Sequence, residues 1–548
     1  MKLKKIIYSF HLVAIAIVAG LGCRKSQFNI NQDQNNPTDS TVAFQVVLPA
    51  ALHASGAIVT TQWGTIQNWM GYWARSGTYA PNVAEETYQI TTAFGNGIWN
   101  NCYDNNYDYQ IVQSKAHVAG AFFYEGIARI MKAQNFQILV DVYGNVPYTA
   151  ALKGSGNPTP AYDKGIDIYK DLFRQLDTAI NLIKASTDVT DKDIWLNDIM
   201  FGDPVNGVKG NLPAMKTKWI KFANTLKLRL IIHAYAAPGF PIAAEMAKII
   251  SEGTGFLGAG ENAQVQPGYK SDKPNPFYNL FYKNVAGSAP QNNVYYKANE
   301  WGIDYISTSW LSDPRTSRFY EAGSGGLHGV AYGLPPVSAN AAAVLAGIGP
   351  GLYKTSSSPQ LVLSSAESFF LQAEARQRNI LTTGPTAAAL LDNAKLESMT
   401  YLGVASPATA LSTYNSFNAT YPDVDITGIA QGTGGPVGGL FTILSQKWIA
   451  MNGINTLETW TDYRRVPYTE VATKIIATGA AAPNDHFVYG DGGGWDPGPP
   501  ISVAPQNTST KIPVRYLYPQ TEYNYNPKNV GAEGTVDAFT SRIFWDIN

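Results

Sequence analysis

Apolar residues recur at alternating steps of three and four along several stretches of the chain, which is the spacing of one face of an α-helix. The clearest face consists of Ile166, Tyr169, Phe173, Leu176, Ile180 and Ile183. Asp163, three residues before this face, is a candidate cap for the predicted helix. Similar patterns predict helices at about 41–60, 105–140, 213–236, 361–378, 385–402 and 438–452. Antiparallel hairpins are the natural way to bury such faces.

Two segments break this helical pattern. Residues 255–360 and 469–535 are dense in Gly, Pro, Asn, Ser and Tyr. They are too long to be simple connectors and too aromatic to be disordered. We therefore predict binding loops inserted into a helical scaffold, within a single body that spans residues 40–548.

The first residues have the build of a secretory signal peptide, predicted here at residues 1–22. Three lysines lie among the first five residues, and an apolar run follows as far as Gly22. Gly22 stands directly before Cys23, as a small residue does in a lipoprotein cleavage site, although Gly20 occupies the place where the usual lipobox has leucine. We predict a lipidated Cys23 and a flexible tether over residues 23–39, which are rich in Asn, Gln and Asp. An uncleaved N-terminal anchor is the alternative.

Composition narrows the classes of ligand. The 40 basic and 41 acidic residues give a net charge of -1, so the chain lacks the basic surface that nucleic acid requires. Aromatic residues reach 12% and charged residues only 15%, a balance that suits a neutral polyhydroxylated ligand or, equally, an extracellular protein with a large core. With Cys23 acylated, no intrachain disulfide is possible, and Cys102 is expected to be a buried small hydrophobe.

The sequence lacks the motifs that several kinds of chemistry require. The six histidines lack metal-ligand spacing, and no nucleophile elbow or phosphate loop is present, so we predict no metal, no cofactor and no enzymatic activity. Paired carboxylates keep a surface glycoside hydrolase open as an alternative. The nearest pairs in sequence are Glu85 with Glu86, Asp104 with Asp108, and Asp491 with Asp496. Such acids also serve as helix caps or solvated loop residues, and the last pair could hold a loop cation.

A set of motifs resembles the SusD/RagB family. Residues 114–129 followed by Tyr143-Gly-Asn-Val-Pro-Tyr148 match its signature of a long helix and a tight turn. Later segments follow in the family's order at residues 219–227, 311–315, 366–375, 446–453 and 460–465. Gln446 and uncharged residues replace the acidic positions of one of these segments, which is typical of a divergent branch.

This resemblance implies a mainly α fold in which four tetratricopeptide-type helical hairpins pack against an irregular, loop-rich lobe that carries the ligand site. Members of the family bind oligosaccharides, or in some cases peptides, and act as a lid on a SusC-like TonB-dependent transporter of Bacteroidetes. The resemblance also implies that the protein is an outer-membrane lipoprotein that faces the cell exterior. The quoted motifs are expected to be structural, with a turn at Gly144 and Pro147 and an internal ion pair between Asp313 and Arg315.

Two clusters combine aromatic rings with amide or charged groups, as a sugar-binding platform requires. The candidate ligand contacts of the first are Trp73, Arg75, Tyr79, Asn82 and Tyr88. Those of the second are Tyr296, Asn299, Trp301 and Tyr305. The alternative is that these aromatics belong to the core, as we expect for Trp99 and Trp310, or pack against a partner. A helical-repeat adaptor that binds only proteins is a third possible function.

Overall fold

The computed structural model describes residues 39, 41–61, 64–202, 211–307, 311–428, 438–466 and 501–547. The chain divides into two compact units, Met1–Phe44 and Gln45–Asn548. The predicted signal peptide, Cys23 and nearly all of the tether lie outside the described residues, as do Trp310, Asp491 and Asp496.

Helices dominate the second unit. In chain order the helices are α1 (Phe44–Thr61), α2 (Thr65–Trp69), α3 (Val83–Glu86), α4 (Asn96–Ala119), α5 (Phe122–Tyr143), α6 (Gly165–Ala185), α7 (Ile194–Asn197), α8 (Leu212–His233), α9 (Ile242–Glu252), α10 (Pro276–Phe281), α11 (Gln291–Tyr295), α12 (Glu300–Ser307), α13 (Thr316–Phe319), α14 (Pro350–Tyr353), α15 (Ser365–Gln377), α16 (Ala387–Leu402), α17 (Pro407–Phe417), α18 (Leu440–Met451), α19 (Thr456–Arg465), α20 (Gln520–Tyr525) and α21 (Pro527–Ala532). The prediction of a mainly α fold is confirmed.

Four pairs of longer helices form the scaffold. Helix α4 packs on α5, α6 on α8, α15 on α16, and α18 on α19. Helix α8 lies at the centre, where it contacts α5, α15 and α19 as well as its own partner. The buried side chains of α6 include the predicted face of Tyr169, Phe173 and Leu176, so periodicity located this core surface correctly.

Short strands connect distant parts of the chain. They are β1 (Trp73–Arg75), β2 (Val146–Pro147), β3 (Tyr162–Asp163), β4 (Ala263–Val265), β5 (Tyr296–Ala298), β6 (Tyr320–Glu321), β7 (Gly347–Ile348) and β8 (Gln360–Leu363). They pair antiparallel as β1 with β5, β2 with β3, β4 with β8, and β6 with β7. Most of them, with helices α10 to α14, lie in the segment predicted to be loop-rich, which is therefore irregular but ordered.

Two local predictions were wrong. The helix expected over 105–140 is two helices, because Gly120 adopts a left-handed conformation (φ 68°) that ends α4. Asp163 does not cap α6, whose first turn follows Lys164 without a side-chain cap. The Asp163 carboxylate instead accepts hydrogen bonds from the backbone N–H groups of Tyr148 and Thr149, at 3.0 and 2.9 Å.

The motif residues are structural, as expected. Asp313 and Arg315 form a fully buried ion pair at 2.6 Å, and Gln446 accepts a hydrogen bond from the same guanidinium at 2.8 Å. Arg465 joins two motifs across the core, because both of its terminal nitrogens lie 2.7 Å from the Glu374 carboxylate. The first set of bonds links Arg315, directly before α13, to α18, and the second links α15 to α19.

The expected core positions are buried. Cys102 is fully buried and Trp99 is 5% exposed, which confirms both predictions. Burial raises the pKa of the Cys102 thiol, so this group stays protonated. Among the described residues, one segment, Phe44–Trp69, is long and apolar enough to span a bilayer, and 47% of its 18-residue apolar window is buried inside the protein.

Candidate functional site

The fold joins the two candidate clusters, which are more than 200 residues apart in sequence. Strands β1 and β5 pair so that Trp73 faces Ala298 and Arg75 faces Tyr296. The pairing continues beyond the strands, since the N–H of Ser76 donates to the carbonyl of Tyr295 and its hydroxyl to that of Val294, each at 2.8 Å. Residues 73–79 and 294–298 thus form one ribbon.

Three tyrosine rings meet at the end of this ribbon. The ring centroids of Tyr79 and Tyr295 are 5.4 Å apart, and those of Tyr295 and Tyr296 are 4.9 Å apart. All three side chains are half-buried. We call Tyr79, Tyr295 and Tyr296 the tyrosine surface. The exposed amide of Asn82 borders it and hydrogen-bonds to Tyr295.

Burial raises the pKa of the Tyr295 and Tyr296 hydroxyls, and the nearby Glu85 carboxylate raises both further. Both hydroxyls are therefore protonated at neutral pH. The tyrosine surface offers ring faces beside the neutral amide of Asn82, without a charged group at its centre.

Buried charges hold the loop that carries Tyr79. The Nε of Arg75 donates to Glu86 at 2.5 Å in an ion pair whose side chains are each 1% exposed. The same guanidinium donates to the carbonyl of Tyr79 at 2.8 Å and to that of Leu334 at 3.0 Å. Arg75 thus holds the backbone of Tyr79 in position.

The adjacent carboxylates are structural. Glu85 accepts hydrogen bonds from the amides of Asn68 at 2.6 Å and Asn82 at 3.1 Å, and burial raises its pKa. Because Glu85 and Glu86 are both buried and bonded within the protein, neither is presented to a substrate. Asp104 and Asp108 lie one turn apart on α4. Within the described ranges, no group of three or more His, Cys, Asp or Glu residues could hold a metal ion.

A second aromatic cluster lies on α12, which the sequence analysis took for a loop. Trp301 and Tyr305 stack one turn apart with centroids separated by 5.8 Å, and Trp448 packs edge-on against Trp301 at 5.2 Å. Trp301 is half-buried and keeps part of its ring accessible. Tyr305 is buried and donates to Asp423 at 2.5 Å.

The side chains of five of the nine candidate contacts are buried in this structure. They are Trp73, Arg75, Tyr88, Asn299 and Tyr305. The indole N–H of Trp73 donates to Asn452 at 2.9 Å, and the hydroxyl of Tyr88 accepts from the N–H of Ser502 at 2.9 Å. Asn299 accepts from the N–H of Trp301 at the start of α12. These groups have no face free for a ligand.

The sequence analysis missed a half-buried aromatic stack beside the ribbon. Tyr282 and Tyr353 stack in parallel with centroids 3.6 Å apart, and Tyr278 meets Tyr282 edge-on at 5.2 Å. The spacing of Tyr278 and Tyr282 by four residues was the available signal, but Tyr353 comes from a distant segment.

Of the nine candidates, Tyr79, Asn82, Tyr296 and Trp301 remain accessible.

Comparison with known proteins agrees with this architecture. A SusD-like family model, described as starch-binding and associating with the outer membrane, matches residues 35–488. A chitin-binding SusD homologue from Flavobacterium johnsoniae has a TM-score of 0.66 at 19% identity, over 91% of this chain and 99% of its own. No curated protein matches the chain.

Two further solved structures show the same fold. A SusD/RagB family protein from Bacteroides thetaiotaomicron has a TM-score of 0.65 at 20% identity, over 93% of this chain and all of its own (100%). A SusD homologue from Bacteroides uniformis has a TM-score of 0.64 at 19% identity, over 92% of this chain and 99% of its own. At these identities the likeness concerns the fold.

Proposed function

Because this chain belongs to the SusD-like family, we propose that it captures an oligosaccharide at the cell surface and delivers it to a partner transporter. The observation that carries the proposal is the β1–β5 ribbon, which places three half-buried tyrosine rings and the Asn82 amide together. The family description, starch-binding and associating with the outer membrane, supports both the ligand class and the location.

Binding at the tyrosine surface follows from the shape of a sugar. One apolar face of the pyranose ring stacks on Tyr79 or Tyr296, while its equatorial hydroxyls exchange hydrogen bonds with Asn82 and the hydroxyl of Tyr79. Trp301 offers a further ring for a longer chain. The buried Arg75–Glu86 pair holds the loop in place before ligand arrives, so little entropy is lost on binding.

Chitin and starch oligosaccharides are the first ligands to test. The solved chitin-binding homologue suggests the former, and the family description suggests the latter. A peptide nutrient is the other ligand class that the family resemblance allows. We propose reversible capture in place of catalysis, which is supported by the acid pair at the ribbon, Glu85 and Glu86, because both are bonded within the protein.

The remainder of the mechanism rests on the N-terminal sequence and the family. Acylated Cys23 anchors the protein in the outer membrane, and residues 23–39 form a tether that lets it face the exterior. It then closes as a lid on a SusC-like TonB-dependent transporter. Tethering raises the effective concentration at the transporter, so modest affinity for free ligand suffices.

Calorimetry on the soluble form that starts at Ser26 tests the site. We expect Tyr79→Ala and Tyr296→Ala each to weaken oligosaccharide binding by roughly tenfold, because each removes a stacking contact worth about 1–2 kcal/mol. Tyr525→Ala is the matched control, since Tyr525 is 75% exposed on α20. Undiminished binding by both variants would contradict the site, and shorter sugars among the products would identify an enzyme.

A further inference from the structure

A cavity of about 340 Å³ lies between α4, α5, α6 and the loop 148–153. Helix α4 contributes Gln110 and Gln113, and α5 contributes Arg129, Lys132, Ala133 and Phe136. This volume is at the lower end of the range of about 300–1,000 Å³ that small-molecule sites occupy. None of its lining residues belongs to the tyrosine surface.

Lys132 is a half-buried cation inside this cavity. Its Nζ donates to the Oε1 atoms of Gln110 at 2.5 Å and Gln113 at 3.0 Å. No carboxylate of the described part of the chain lies within ion-pairing distance of it, although charges in protein interiors are ordinarily paired. Burial, and then the neighbouring Arg129, lower the pKa of Lys132 to about 8.

Both arginines of the cavity and Asp171 are already paired. Arg129 donates to Glu125 at 2.8 Å and to Gln175 at 2.5 Å. Arg174 pairs with Asp171 at 2.5 Å. The ammonium of Lys132 is therefore the cation to which an incoming anion would bind, with only the exposed Lys153 adding positive charge at the loop.

We propose that this cavity binds a small monocarboxylate, of the size of one hexuronic acid, through Lys132. Gln113, whose Oε1 atom helps to hold the ammonium, provides an amide group for a hydroxyl of the acid, whereas the Nε2 atom of Gln110 already donates to Ser114 at 2.8 Å. Phe136 and Tyr148, which meet edge-on with centroids 4.7 Å apart, form an apolar wall against which one face of the ring packs.

Calorimetry with sodium glucuronate, and with glucose as the neutral analogue, tests this assignment on the soluble form that starts at Ser26. We expect glucuronate to bind, glucose to bind at least tenfold more weakly, and Lys132→Met to weaken glucuronate binding about tenfold or more. Lys170→Met is the matched control, because Lys170 is an exposed lysine on α6 outside the cavity.

Gln113→Glu is an independent variant that adds a carboxylate next to Lys132 without removing the lysine. It should abolish glucuronate binding while the melting temperature stays the same or rises, and it carries the test if Lys132→Met does not fold. Affinity should also fall as the pH rises above about 8, because Lys132 loses its proton there.

Equal binding of glucose, or glucuronate binding that both variants leave intact, would overturn the proposal. Binding of N-acetylglutamate amide but not of glucuronate would also overturn it, in favour of a docking site for a protein side chain. Chitin oligosaccharide binding should be the same in Lys132→Met and in the unmodified protein, so failure here is distinguishable from failure of the tyrosine surface.

Discussion

The ion pair between Arg75 and Glu86 gives a quantitative prediction. Glu86→Gln removes the negative charge and leaves a buried guanidinium that keeps only neutral acceptors, among them the carbonyls of Tyr79 and Leu334. Breaking one side of a buried ion pair costs about 3–5 kcal/mol, because the remaining charge is uncompensated. We expect a loss of this size, since both side chains are 1% exposed.

That loss translates into a measurable change in melting temperature. Unfolding entropy is about 2.1 cal/mol/K per residue, so a cooperative unit of about 500 residues loses roughly 1 °C per kcal/mol. Glu86→Gln should therefore lower the melting temperature by about 3–5 °C in calorimetry. Because Arg75 also holds the carbonyl of Tyr79, oligosaccharide affinity should fall in the same variant.

An exposed ion pair provides the control. Lys270 and Asp272 are 3.0 Å apart, but their side chains are 66% and 67% exposed. Asp272→Asn should change the stability by less than about 1 kcal/mol, because water screens the pair. If Glu86→Gln lowered the stability no more than Asp272→Asn, the reasoning about the buried ion pair between Arg75 and Glu86 would be refuted.

Two further predictions concern the loop and the core. Gly77→Ala should weaken oligosaccharide binding, because the new Cβ atom would lie 1.7 Å from Oδ1 of Asn340. Gly97→Ala, whose Cβ atom would have nothing within 4 Å, should leave the affinity measured by calorimetry unchanged. Equal affinities of the two variants would contradict this prediction. Burial disfavours the charged form of His233, but the facing carboxylates of Glu458 and Asp141 outweigh it and raise the pKa of His233 above 6.5. The stability that protonated His233 contributes is complete below about pH 6.5 and declines as the pH rises towards the folded-state pKa. In urea unfolding, His233→Gln should therefore destabilise the protein more at pH 6 than at pH 9. An equal loss of stability at both pH values would argue against this ionic role of His233.

The helical scaffold could be predicted because its apolar faces are periodic and long. The face of α6 and the bounds of α16, Ala387–Leu402 against the predicted 385–402, show how far local pattern reaches. The break at Gly120 was missed because apolar residues continue on both sides of it. Strands of two to four residues carry no such signal, and the pairing of β1 with β5 depends on the folded chain.

The candidate site was predicted in part for the same reason. Composition selected two segments that do meet, but it could not separate exposed rings from buried ones. Trp73 and Tyr79 are six residues apart, yet Trp73 lies in the core against Tyr320 while Tyr79 lies at the end of the ribbon. That difference depends on Tyr320 in β6 and on Asn452, directly after α18, which no local pattern brings next to Trp73.

A crystal structure with a bound oligosaccharide tests the central claim most directly. The account predicts an intact sugar whose ring stacks on Tyr79 or Tyr296 and whose hydroxyls hydrogen-bond to Asn82. A sugar stacked on Tyr282 and Tyr353 alone, with the tyrosine surface empty, would contradict it.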